Sequence, residues 1–174
     1  MLNFLLIIAI VVAAILIYAS TRPDSFRVER STIINAPPEK VFPIINEFHA
    51  WEAWSPWEKA DPNVKRMYDG PKSGVGSKYA WEGNKQLGSG EMELVESVPN
   101  SHVGINIHFI KPFEARNKVD FDLVAHGSGT KVTHAMHGRS PFISKLMSLV
   151  FNMEKMVGPK FEEGLASIKA IAEK

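Results

Sequence analysis

The chain has 174 residues, of which 45% are hydrophobic and 22% are charged, and these values are ordinary for a protein with one sizeable core. The formal net charge is +1 and no long run of either sign occurs, which argues against a nucleic-acid-binding protein. Cysteine is absent, so disulfides, thiolate nucleophiles and cysteine-ligated metals are excluded.

The first predicted element is a hydrophobic helix. From Leu2 to Ala19 the chain is apolar except for Asn3, and this stretch of about 18 residues approaches the roughly 20 that cross a bilayer. We interpret it as an uncleaved transmembrane anchor. A signal peptide and a buried core helix are the alternatives, but Ile17-Tyr18-Ala19 is a poor cleavage site and no polar face recurs at helical spacing.

The charges after this helix bear on its orientation. Arg22, Arg27 and Arg30 follow the apolar stretch, whereas no Lys or Arg precedes it. The positive-inside rule therefore predicts a single-pass protein with a cytoplasmic domain. Asp24 and Glu29 lie among the arginines and reduce the asymmetry, so an exported domain is the alternative.

The middle of the chain has the pattern of strands with short helices near the start. Ser25–Ala36 alternates and is rich in β-branched residues, and Pro37-Pro38-Glu39 is typical of a helix start. Trp51, Trp54 and Trp57 then recur three apart, and a helical turn that places the first two on one side should follow and end at Ser55-Pro56. Glycine-rich turns divide the rest into six predicted strands: Val64–Tyr68, Gly76–Trp81, Gly88–Ser97, His102–Phe109, Ala115–Val124 and Thr130–His137.

The last predicted element is one long helix from Pro141 to Glu173, because apolar residues recur at helical spacing over the whole segment. Gly158-Pro159 interrupts this stripe. Proline removes a backbone donor and crowds the preceding turn, so we expect a kink or break there.

This order of elements, with four local motifs, resembles the helix-grip fold of the START-like superfamily, especially polyketide cyclase/dehydrase-type (SRPBCC) proteins. The resemblance implies an α+β fold in which a curved antiparallel sheet of about seven strands grips the long C-terminal helix around an apolar cavity. The expected organisation is an anchor at 1–20, a linker at 21–25 and the helix-grip domain at 26–174. The motifs are Ile33–Phe42, Trp51–Trp57, Gly74-Val75-Gly76-Ser77 and Gly129–Thr133.

Strand alternation predicts which side chains would line such a cavity. The inward rows are aliphatic and aromatic, and packing of an ordinary core is the alternative interpretation. Tyr79, Trp81 and His134 combine apolar bodies with polar tips, which favours ligand contacts. The predicted lining is Trp54, Tyr79, Trp81, Ile105, Ile107, Phe109, Phe121, His134, Met136, Leu146 and Met153.

Candidate catalytic groups are few. His134 and Tyr79 could act as acid and base if they converge inside the cavity, although an inward histidine is also compatible with a core role. No histidine pair has metal-ligand spacing with an acidic partner, and no nucleophile elbow or phosphate loop is present. The sequence therefore predicts no metal site and no cofactor.

Three functions are compatible with these features. The leading hypothesis is a noncatalytic, membrane-anchored binder of a hydrophobic small molecule or lipid. The second is a cyclase, dehydratase or hydrolase acting on an apolar carbonyl compound. The third is a membrane-tethered protein-interaction module, which an exposed apolar patch around Trp51–Trp57 would favour. The ligand and the oligomeric state are not defined by the sequence.

Overall fold

An antiparallel sheet occupies the centre of the computed structural model, which describes residues 1–174 apart from the side chain of Leu2. The strands are β1 (Ser25–Ile34), β2 (Lys65–Asp69), β3 (Lys78–Glu82), β4 (Ser89–Val98), β5 (His102–Lys111), β6 (Ala115–His126) and β7 (Gly129–Arg139). They form one sheet of 7 strands in the order β1-β7-β6-β5-β4-β3-β2. The seven strands were all predicted from alternation and turn residues, with ends shifted by a few positions.

The helices are α1 (Leu2–Ser20), α2 (Pro38–Asn46), α3 (Phe142–Met147) and α4 (Met153–Ala172), with a short 3-10 helix at Phe48–Ala53. The curved sheet and the long C-terminal helix confirm the predicted α+β helix-grip fold. Helix α4 packs along β1, and α2 and the 3-10 helix close the core beside it.

The C-terminal helix differs from the prediction in where it is broken. The break lies between α3 and α4, where the side chain of Asn152 caps α4 by accepting a hydrogen bond from the Lys155 backbone N–H at 3.1 Å. Gly158 and Pro159 lie inside a continuous α4. Pro159 is the seventh residue of α4, so the helix continues through it with only the bond to the Lys155 carbonyl missing. Gly158 is explained by close packing, since a Cβ there would be 2.2 Å from Nη2 of Arg30.

Helix α1 lies outside this core. From Asn3 to Ser20 its side chains are exposed except for Ala19, and this segment is long and apolar enough to cross a membrane. The C-terminal part of the helix contacts α3, which is the link between α1 and the domain. The prediction of an anchor followed by a domain at 26–174 is compatible with this arrangement and stays a prediction.

The two ends of the sheet can be distinguished by the strand register. At one end, β1 begins with Ser25 opposite Arg139 of β7, and β5 ends near Lys111. This end is next to α1, and we call it the anchor-proximal end. At the other end, Ile34 pairs with Thr130, and we call it the distal end.

Candidate functional site

The inward rows of the sheet lie where alternation predicted them. Tyr79, Trp81, Ile105, Ile107, Phe121, His134 and Met136 are buried, and Phe109 is partly buried. Most of them alternate along their strands with more exposed neighbours, as the pleat predicts, whereas the small residues Gly104 and Ala135 on the other face are buried as well. Their position on the inner face is therefore observed, whereas their role in ligand binding stays a prediction.

The distal half of this inner face is filled by side chains. The His134 ring is stacked between Phe121 and Phe161, with ring centroids 4.0 and 3.6 Å apart. Trp54 lies edge-on to Phe121 at 6.0 Å. Its indole N–H donates to the Ile44 carbonyl oxygen at 3.0 Å. These contacts run from the sheet to α4 and give His134 and Trp54 the environment of core residues.

The environment of His134 also determines its protonation. Burial between two phenyl rings lowers the pKa of His134 to about 3, because the charged imidazolium would lose its hydration. The ring is therefore neutral near pH 7. Its Nδ1 atom is buried and has no hydrogen-bond partner among the described residues.

Tyr79 belongs to a different polar group, at the β2–β3 edge. Its hydroxyl donates to Oε1 of Glu58 at 2.5 Å, and Nε of Arg66 donates to Oε2 of the same carboxylate at 2.6 Å. Burial and the hydrogen bond to Glu58 raise the pKa of Tyr79. The hydroxyl proton of Tyr79 is thus used in the hydrogen bond to Glu58. Tyr79 and His134 do not form a hydrogen-bonded pair in the structure.

Sequence reasoning missed Glu58 and Arg66, although both are close to predicted features. Glu58 directly follows the tryptophan-rich turn, and its side chain is only 7% exposed. A buried carboxylate needs partners, so this burial is coupled to Arg66 and Tyr79. No local pattern reveals such a pairing, because the three residues are brought together by the turn and two different strands.

The anchor-proximal half of the inner face is less covered. Along β5, Val103 and Ile105 are 0% and 1% exposed, whereas Ile107 is 9% exposed and Phe109 is only partly buried. Phe26 on β1 and Asn117 on β6 are also partly exposed. The inner face therefore becomes progressively more exposed toward the end of the sheet that is next to α1.

The position of α4 explains this gradient. Gly158 packs against Arg30, and Arg30 is level in the sheet with His134, Phe121 and Val103. Because α4 begins at Met153, only its first turns extend past this level toward the anchor. The rows that contain Phe26, Ile107 and Phe109 consequently lie beyond the well-packed part of the helix.

Two predicted lining residues are placed elsewhere by the break in the C-terminal helix. Leu146 is partly buried on α3, which packs near α1, and Met153 is 42% exposed at the start of α4. Their assignment to the inner cavity assumed a helix that continues from Pro141 as far as Gly158, and that assumption is wrong because the helix is broken between Met147 and Met153. The chain changes direction after Met147, so the apolar residues of the C-terminal segment lie on two separate helices, α3 and α4.

Trp81 is the most informative polar-tipped residue in the open half. Its indole lies over Gly90, where a Cβ would be 2.4 Å from a ring carbon, so only glycine permits this ring position. Nε1 of Trp81 is buried and without a hydrogen-bond partner among the described residues. An unpaired buried donor costs about 1–3 kcal/mol, and an acceptor on a bound molecule would remove this cost.

Two surface clefts occur in the described chain, and neither lies between the sheet and α4. One, of about 510 Å³, is bounded by Asp24, Arg139–Phe142 and Lys145, where α1 leaves the domain. The other, of about 280 Å³, lies at the β2–β3 edge next to His49 and Tyr68. Within the described residues, no group of three or more His, Asp or Glu side chains is arranged to hold a metal ion.

Comparison with known proteins supports the fold. Residues 25–173 match the family model described as polyketide cyclase / dehydrase and lipid transport. A structure from Chromobacterium violaceum is 15% identical, with a TM-score of 0.60 over 88% of this chain and 99% of its own. One from Mesorhizobium loti is 19% identical, with a TM-score of 0.60 over 84% and 96%. No curated protein matches the sequence. Identities this low show the fold alone.

Proposed function

Because the chain belongs to the polyketide cyclase/dehydrase and lipid transport family, we propose that it is a membrane-anchored, noncatalytic protein that binds a hydrophobic small molecule or lipid. The observation that carries the proposal is the apolar inner face of the sheet, which is closed at its distal end and partly uncovered toward the anchor. Ligand sites of this kind are concave and mostly apolar, with a few fixed polar groups.

The ligand would lie along the anchor-proximal half of the sheet. Ile107 and Phe109 provide apolar surface there, and Trp81 is next to Phe109 with its ring at 6.0 Å. Each Å² of apolar surface removed from water contributes about 25 cal/mol. The unpaired indole N–H of Trp81 would donate a hydrogen bond to one carbonyl, hydroxyl or phosphate oxygen of the ligand and so orient the molecule.

The N-terminal helix would hold the proposed ligand site close to the membrane. Its apolar span ends at Ser20, and β1 begins at Ser25, so the short connection keeps the open end of the sheet near the bilayer surface. We propose that the domain faces the cytoplasm, since basic residues follow the span. Protease treatment of spheroplasts and of inverted vesicles tests this orientation, because the domain should be cleaved only in the latter.

Ligand binding is tested with the full chain purified in mild detergent. Native mass spectrometry should detect a bound apolar molecule, and dansylaminoundecanoic acid should increase in fluorescence on binding and be displaced by that molecule. Trp81→Phe replaces the indole by a smaller aromatic ring without the N–H donor, so it should weaken binding of an oxygen-bearing ligand about fivefold to tenfold.

The matched control is Trp57→Phe, which changes a partly exposed indole outside the inner face. It should leave probe affinity unchanged. A chain that carries no apolar molecule and does not bind the probe would overturn the proposed function. Equal losses in Trp81→Phe and Trp57→Phe would overturn the assigned position of the ligand.

A further inference from the structure

Large apolar side chains are exposed together at the anchor-proximal end of the domain. We define the apolar rim as Phe113, Phe142, Ile143, Val150 and Phe151, which are 64%, 44%, 70%, 81% and 55% exposed. We propose that this rim inserts into the interfacial region of the bilayer as a second membrane contact beside α1. The proposal rests on the anchoring part of the proposed function.

Phe113 reaches this end through the sheet register. It lies in the connection between β5 and β6, where Phe109 pairs with Ala115. Asn117 of β6 pairs with Gly138 of β7, and the next residue of β7, Arg139, pairs with Ser25. The turn that carries Phe113 is therefore at the same end of the sheet as the exit from α1.

The other four rim residues are placed by contacts with the α1 exit. Helix α3 packs against α1, and Nζ of Lys145 bonds Oδ1 of Asp24 at 2.5 Å. The Ser140 backbone N–H donates to the Asp24 carbonyl oxygen at 2.7 Å. Two segments distant in sequence thus present apolar groups at the point where the proposed anchor leaves the bilayer.

The distal end has a different surface. Its turns contain Pro99-Asn100-Ser101 and His126-Gly127-Ser128, and the large exposed apolar side chains at this end are aliphatic and lie on separate segments: Ile33, Val75, Val98 and Val124. Scattered single residues are normal on a soluble surface, whereas grouped aromatic and branched side chains mark a binding surface. The grouping therefore follows the anchor and is not a general property of the domain.

Exposed basic side chains flank the rim. Lys111 and Arg116 border the turn that contains Phe113, and Arg139 lines the cleft beside α3. Basic groups near a surface of anionic lipids contribute about 1 kcal/mol each, in addition to the burial of apolar area. This combination fits a bilayer that contains anionic phospholipid.

The contact would also bring the open half of the inner face to the membrane. Phe109 continues directly into the turn that carries Phe113, so the rim borders the uncovered rows of the sheet. A lipid-soluble ligand could then pass between bilayer and protein along apolar surface. This route avoids the cost of transferring the ligand through water.

The experiment uses single cysteines in the full chain, which contains none of its own. Phe113→Cys and Val150→Cys report on the rim, Val11→Cys reports on α1, and Val124→Cys is the control at the distal end. Each variant is labelled with the fluorophore NBD and reconstituted in vesicles of phosphatidylcholine and phosphatidylglycerol. Spin-labelled phospholipids then quench any NBD group in contact with the acyl region.

We expect quenching at Val11→Cys, and quenching at Phe113→Cys and Val150→Cys that is several-fold greater than at Val124→Cys. If Val11→Cys is quenched but the rim variants match Val124→Cys, the rim proposal is wrong and the anchor stands. If Val11→Cys is not quenched, the anchoring part of the proposed function fails and the rim proposal with it. All these positions are exposed, so the substitutions leave the packed core intact.

Discussion

The distal and anchor-proximal halves of the inner sheet face are formed by the same strands but are covered differently. In the distal half, His134, Phe121 and Phe161 stack directly and Trp54 closes the space beside them. In the anchor-proximal half, Phe26 and Phe109 stay partly exposed because α4 covers these rows only with its first turns. Alternation produces an apolar row in both halves, and the position of α4 decides whether that row is packed into the core or left partly exposed.

The largest expected effect tests the packed half. Trp54→Ala removes a buried indole between α2, Phe121 and α4, so it should lower the free energy of unfolding by about 3–5 kcal/mol. Trp57→Ala removes a 42% exposed ring and should cost under about 1 kcal/mol. Denaturant unfolding of the full chain in detergent measures both. Similar losses in the free energy of unfolding for the two variants would show that the distal half is not well packed around Trp54.

The next effect tests the buried charge group at the sheet edge. Glu58→Gln removes the carboxylate that pairs Arg66 and accepts from Tyr79, and it should cost about 1–3 kcal/mol. Glu163→Gln is the matched control, since Glu163 pairs with Lys160 on the exposed face of α4 and should change stability by under about 0.5 kcal/mol. If Glu58→Gln leaves the free energy of unfolding unchanged, the group of Glu58, Arg66 and Tyr79 does not stabilise the fold.

A pH-dependent effect tests the environment of His134. The folded pKa is lowered to about 3 from 6.5, so between these values the unfolded chain binds a proton that the folded chain does not. This contribution to stability is complete above pH 6.5 and is lost as pH falls toward 3, by at most about 1.4 kcal/mol per pH unit.

His134→Phe removes that group, so unfolding measured from pH 7 to pH 4 should show a smaller acid-induced loss than in the original chain. His126→Gln, at an exposed turn, is the control and should keep the original pH dependence. If the free energy of unfolding of His134→Phe depends on pH as in the original chain, the imidazole of His134 is hydrated and accessible. An acid–base role for His134 in the inner face would then have to be considered again.

The smallest expected effect on stability concerns the rim. Phe113→Ser changes a 64% exposed side chain and should alter the free energy of unfolding by under about 0.5 kcal/mol. Phe109→Ser, on the partly buried inner row, should cost more than Phe113→Ser and should also weaken probe binding. If Phe113→Ser proves the more damaging of the two, the rim is packed in the folded protein and does not serve as a free surface.

Local patterns were sufficient to predict much of the fold. All seven strands were predicted because alternation and turn residues act over a few positions, and the inward placement of Tyr79, Trp81 and His134 followed from the same rule. The C-terminal helix was predicted less well. Its apolar stripe continues through Ser148–Asn152, so the cap at Asn152 and the change of direction had no distinct periodic signal.

The sequence by itself determined the apolar character of the N-terminal helix and of the inner sheet rows, since side-chain transfer free energies and strand alternation are local properties. Tertiary structure alone decided which half of those rows is filled, because that depends on where α4 meets β1 at Arg30. It also placed the turn with Phe113 at the same end of the sheet as the start of β1, and it joined Glu58 to Tyr79. These arrangements involve segments that are distant in sequence, and only folding brings them together.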